Sequence, residues 1–249
     1  MNIGIYQSAS ALSALERWQE NVSQNITSSQ TSGYRKRTMN FSTQTGGELH
    51  LDRRSRVGGE SAMPLTFPKV NTGISFSPGE TAPTKRELDV AIQGEGFFEV
   101  QREDGSRAYT RNGQFQMRAD RTLVTSTGAE VMSDGGGPIT AVSGSESISI
   151  NRDGTIFQGG SSLGKLAVRK FPNNAQLNPV AGGLFTAGGG VAPQQVEAPE
   201  LMQGYVEGSN VNSLREMVDL VLISRAYEAN QRIIKAVDEQ MGKTLDALG

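Results

Sequence analysis

A serine nucleophile needs a base within reach, and Gly160-Ser161-Ser162-Leu163-Gly164 has the G-x-S-x-G spacing of a strained turn that exposes one. That chemistry asks for a histidine later in the chain, whereas the sole histidine, His50, comes before it, in a connector. With 30 glycines in the chain, such a string is expected by chance. Gly94-Glu95-Gly96 after a strand-like run is half of a dinucleotide fingerprint. Glu99 stands where the third glycine belongs and the following residues read as strand, so a tight β-turn is the expectation. Asp89, Glu95, Glu99 and Glu103 could supply the paired carboxylates that flank a glycosidic bond. Nothing in their spacing forces two of them into one cleft, and solvated strand edges are the default. One histidine, no cysteine and no Asp-rich loop leave little to ligate a metal, and no cofactor is expected.

Bulk properties narrow the classes further. A net charge of −2 provides no basic field for nucleic acid. The one basic run, Arg53-Arg54-Ser55-Arg56, has no interleaved aromatics and reads as a solvated connector. No stretch approaches the roughly 18 apolar residues of a membrane span, and Met1–Ala14 lacks the charged-then-apolar layout of a secretory signal. Absent cysteines fit the cytosol or export in an unfolded state. Hydrophobic residues are 36% and aromatics 6%, a modest supply expected to be concentrated in stripes at the two ends.

Those stripes are the main structural signal. Ile5, Ser8, Leu12, Leu15, Gln19, Val22 and Ile26 recur at alternating spacings of three and four near the N-terminus. Near the C-terminus Leu220, Ile223, Tyr227, Asn230, Ile234, Val237, Met241, Thr244 and Leu248 do the same. The pattern predicts an α+β chain: long N- and C-terminal helices pairing in a coiled-coil-like way, with a central antiparallel β-rich domain. Expected segments are an N-terminal helix within 1–33, an extended connector over 34–85, a β-rich domain over 86–200 and a C-terminal helix within 201–249. Gly33 suits a helix-ending turn, Ser213 and Glu216 have capping-box spacing, and Asp104-Gly105 and Asn112-Gly113 mark turns between short strands. The predicted assembly interface is Ile5, Leu12, Leu15, Val22, Asn25, Ile26, Leu220, Ile223, Tyr227, Asn230, Ile234, Val237, Met241 and Leu248. Asn230 is a candidate register-setting polar group on its seam.

Several strings then resemble the axial proteins of the bacterial flagellum, most closely the basal-body rod proteins. They are Leu88-Asp89-Val90-Ala91-Ile92-Gln93-Gly94-Glu95-Gly96-Phe97-Phe98, Tyr109-Thr110-Arg111-Asn112-Gly113 with Phe115, Asp153-Gly154-Thr155-Ile156, Gln203-Gly204-Tyr205-Val206-Glu207, and Arg225-Ala226-Tyr227-Glu228-Ala229-Asn230. One departure is that Gln24-Asn25-Ile26-Thr27-Ser28 stands where the family usually carries Asn-Asn-Leu-Ala-Asn. The resemblance implies a structural, non-enzymatic subunit whose terminal helices form an inner tube and whose β domain forms an outer layer. It also implies a torque-transmitting shaft through which exported subunits pass. The implied location is the flagellar basal body in the periplasm, reached through the flagellar type III export apparatus without a cleavable signal. Implied partners are copies of itself, other rod and hook proteins, and surrounding ring proteins. The alternatives are a β-rich binding module dimerised by its helices and a periplasmic cell-wall hydrolase.

Overall fold

The computed structural model describes residues 3–50, 62–142, 147–188 and 190–246, with side chains described throughout except at 3–5, 45–50, 62–68, 244 and 245. Helix α1 spans Ile3–Thr27 and helix α2 spans Ser213–Asp246, and two long strands, β1 (Arg37–His50) and β2 (Ala62–Ile74), pair as a separate ribbon. The remaining strands are short and are named by residue range. The chain forms two units. One comprises Met1–Thr27, Arg37–Gly73 and Asn212–Gly249, and the other Ser28–Lys36 and Ile74–Val211.

The second unit is the β body. Its main sheet runs, in spatial order, 177–180, 184–187, 107–110, 97–101, 130–131, 123–125 and 115–117, with 168–170 and 194–195 attached beside 97–101. A three-stranded sheet (148–150, 155–158, 161–165) and the pairs 90–93 with 200–203 and 81–83 with 205–207 complete it, and the pairings are antiparallel. Strand Phe97–Gln101 explains why the sequence here is apolar without alternation. Neighbouring residues on a strand point to opposite faces, and both faces are covered. Phe97 packs with Tyr109, Phe171, Leu177 and Phe185, while Phe98 packs among Val90, Phe115, Val131 and Ile156.

Gly33 shows what the turn after α1 demands. Its φ is +70°, and a Cβ there would sit 2.3 Å from the Asn112 backbone nitrogen. Only glycine meets both conditions without moving the backbone.

Two expectations need correction. The chain is mostly β, and its two helices form no long coiled-coil pair. Among the described residues of α2, only Glu216 and Ile223 are buried, and every position after Ile223 is half-buried or exposed. The reason lies in the side chains. Among the described residues of α1 the buried positions are Ser8, Ala14, Val22 and Asn25, and Gln19 is exposed. Small and polar groups do not supply the large knobs that a continuous seam requires. The apolar supply is also not concentrated at the ends. Of the buried apolar residues among those described, the helices contribute Ala14, Val22 and Ile223, and the β body holds the rest.

Candidate assembly site

The helical unit is fastened by polar groups. Asn25 is 1% exposed, and its amide is bonded through both its nitrogen and its oxygen. Nδ2 donates to the Arg37 carbonyl at 2.9 Å and to Glu216 Oε2 at 2.9 Å, and Oδ1 accepts from the Arg37 backbone N–H at 2.9 Å. One side chain thus ties the end of α1, the start of β1 and the first turn of α2. Glu216, also 1% exposed, is therefore committed across the unit. The cap expected at Ser213 lies one residue earlier, where the Asn212 Oδ1 accepts from the Arg215 N–H at 3.1 Å. Farther along α1, Trp18 meets Phe41 of β1 edge-on, with ring centroids 5.4 Å apart.

Along the predicted interface, Val22, Asn25 and Ile223 are buried, and Leu12, Leu15, Ile26, Leu220, Tyr227, Asn230, Ile234 and Val237 are half-buried. Met241 is exposed. The side chain of Ile5, and Leu248 altogether, lie outside the described residues. Asn230 donates to the Ala226 carbonyl of its own helix at 2.9 Å, which satisfies its amide locally. The buried polar pair on this unit is instead Asn25 with Glu216.

A second face was not read from the sequence. Leu214 (74% exposed), Met217, Val218, Val221 and Leu222 are all at least half exposed. At about 100° per residue, these positions lie on the side of α2 opposite Glu216 and Ile223. The first turns of α2 are thus apolar on both sides, one covered within the chain and one open. The signal was present in Met217-Val218-Asp219-Leu220-Val221-Leu222-Ile223, which is too apolar for a single seam.

Of the residues considered for catalysis, Glu99 and Asp89 are paired with arginines. Ser162 is exposed on strand Ser161–Lys165 of a hairpin, and the side chain of His50 lies outside the described residues. Glu99 pairs with Arg169 at 2.7 Å and Arg107 at 3.2 Å. Asp89 is fully buried, 3.7 Å from Arg86, and Glu95 and Glu103 are exposed. Gly94 and Gly96, both at positive φ, turn the chain between strands 90–93 and 97–101.

Inside the β body, Glu207 bonds Arg35 at 2.6 Å and Arg111 at 3.2 Å, and also accepts from the Gly79 N–H. Arg111 donates to the Ile92 and Gly94 carbonyls and lies over the Phe97 ring. Burial pulls its guanidinium down to about 10, against the upward pull of Glu207. These charges join the segment after α1 to three parts of the β body.

Residues 91–158 match the family model described as the flagellar hook protein FlgE/F/G D1 domain. Residues 202–247 match the flagellar basal body rod FlgEFG protein C-terminal model. The class is thus that of the flagellar hook and rod proteins. Among individual relatives, the flagellar basal-body rod protein FlgF of Caulobacter vibrioides is 30% identical over 251 residues, covering 100% of this chain and 99% of its own. The FlgF protein of Salmonella typhimurium is 33% identical, covering 98% and 97%. The FlgG protein of Buchnera aphidicola from Acyrthosiphon pisum is 32% identical, covering 89% and 90%. The chain belongs to the flagellar basal-body rod proteins.

Proposed function

We propose that this chain is a structural subunit of the flagellar basal-body rod, which polymerises with copies of itself and other rod and hook proteins. The product is a tubular shaft that transmits torque and lets exported subunits pass. The subunit acts as a non-enzymatic part of the basal body in the periplasm, delivered by the flagellar export apparatus. Family membership supports the structural role. Among the described residues no helix is long and apolar enough to cross a membrane.

The observation that carries the mechanism is the pair of incompletely covered faces on α2. The half-buried seam of Leu220, Tyr227, Ile234 and Val237, with Leu12, Leu15 and Ile26 on α1, and the opposite stripe from Leu214 to Leu222 leave apolar surface in the lone chain. Complete burial of one Leu, Ile or Val contributes roughly 1.5–3 kcal/mol. Covering only the four aliphatic stripe residues Leu214, Val218, Val221 and Leu222 would supply on the order of 5 kcal/mol, since each is already partly covered. Neighbouring subunits are the proposed cover.

A Val218→Asp chain, expressed in cells lacking the wild-type protein, tests this. The β body should fold, as judged by near-ultraviolet circular dichroism, while the protein fails to enter purified basal bodies and the cells lose motility. Full incorporation and normal swimming would remove the stripe from the mechanism.

A further inference from the structure

The β body contains a cleft of about 550 Å³ with two buried arginines in its lining. Its inner wall carries Arg35 and Arg111, 3% and 7% exposed, with Glu207 between them. Lys170 and Glu95 are exposed at its rim, and Phe97 and Phe171 supply apolar sides. Among these ionised groups three are cationic and two anionic, which leaves one positive charge in surplus.

The donor inventory is also unbalanced. Arg35 Nη2 is bonded to Glu207, but Arg35 Nε and Nη1 and Arg111 Nε have no hydrogen-bond acceptor among the described protein groups. A guanidinium offers five N–H donors in a rigid fork that matches the two oxygens of a carboxylate. Leaving such donors buried without an acceptor costs free energy. Structural ion pairing alone would be met by matched charges; here one acidic group serves two arginines.

We propose that this cleft is a carboxylate-binding site, with Arg35 and Arg111 contacting the anionic oxygens and Lys170 drawing the ligand in at the rim. The surplus of a single charge favours a monoanion over a doubly charged phosphate. The carboxylate has two possible sources, a free small molecule or an acidic side chain of another protein chain. The aromatic sides favour a group carried on an apolar stem in either case.

The test is a titration of the full-length, isotopically labelled monomer with sodium acetate at constant ionic strength, following the arginine Nε–Hε resonances by NMR. Sodium chloride and inorganic phosphate serve as comparators. The expected result is a saturable shift of the Arg35 and Arg111 signals with acetate in the millimolar range. Lys170→Gln should weaken binding several-fold and Glu95→Gln should tighten it several-fold, the opposite signs being the signature of a charged site. Both residues are exposed, so neither change threatens the fold. A response that does not saturate, one unmoved by either substitution, or tighter binding of phosphate than of acetate overturns the proposal. Acetate that also slows polymerisation measured by light scattering identifies the occupant as a side chain of a neighbouring subunit, and polymerisation indifferent to acetate identifies a free carboxylate. Because the titration uses monomer, its result is independent of the rod reading.

Discussion

Replacing Asn25 by Ala should loosen the helical unit while sparing the β body. The substitution removes at least three bonds, two with the Arg37 backbone and one with Glu216. A neutral hydrogen bond contributes about 1 kcal/mol and one to a charged group about 1.5–3 kcal/mol, so the summed loss is about 3–5 kcal/mol. Water entering the vacated space would offset part of this, but Glu216 stays buried with one donor fewer. The unit has little other burial to compensate, since Ala14, Val22 and Ile223 are its only buried apolar residues among those described. The readout is built in. Trp18 is the single tryptophan and packs on Phe41 within this unit. Its fluorescence in a urea titration follows the helices, while amide exchange at Phe97–Gln101 follows the β body. The variant should shift the tryptophan midpoint strongly and leave the exchange rates nearly unchanged. Asn25→Asp, which loses both amide donors and sets a second carboxylate beside Glu216, should be at least as damaging at neutral pH. An Asn25→Ala chain with the wild-type tryptophan midpoint would refute the clasp.

Other outcomes follow from the same geometry. Glu207→Gln leaves two buried guanidinium groups without their shared anion, and a broken buried pair costs about 3–5 kcal/mol; denaturant unfolding of the β body should show it. Ile234→Asp, at a half-buried seam position, should leave monomer stability within about 1 kcal/mol of wild type and yet block incorporation into basal bodies. On acidification, three turns should weaken together. Bonds from Ser106, Thr122 and Thr155 hold the carboxyls of Asp104, Asp120 and Asp153 below the ordinary 3.8. The stability they contribute is present above 3.8 and is lost as pH falls through the lowered folded values. Circular dichroism through that range should record the loss, and Asp153→Asn should reduce its pH dependence.

Much of this architecture can be read from residue order. Asp104-Gly105 joins strands 97–101 and 107–110 as a hairpin, and the 3–4 spacing on α2 picks out Leu220, Ile223, Tyr227, Asn230, Ile234 and Val237, which with Asp219 and Ala226 are its least exposed described positions beyond the first turn. What failed was the inference from periodicity to a complete pairing. Spacing reports which face is apolar, but not whether the facing side chains are large enough to fill it, and Ser8, Ala14 and Asn25 are not. From the sequence the ribbon of β1 and β2 reads as a connector, because Gly46-Gly47, Pro64 and Pro68 suggest breaks. Pairing between the two strands supplies what local propensity does not report. The Arg35–Glu207–Arg111 cluster was illegible for the same reason. Its members are separated by 172 and 96 positions, and only the fold brings them together.

The chain contains no cysteine, so a single introduced thiol reports one location without interference. Val218→Cys, labelled with a maleimide first as purified monomer and then in isolated basal bodies, measures whether the open stripe on α2 is covered by assembly. Rapid labelling of the monomer and strong protection in the basal body are predicted. Equal reactivity in both states would contradict the account.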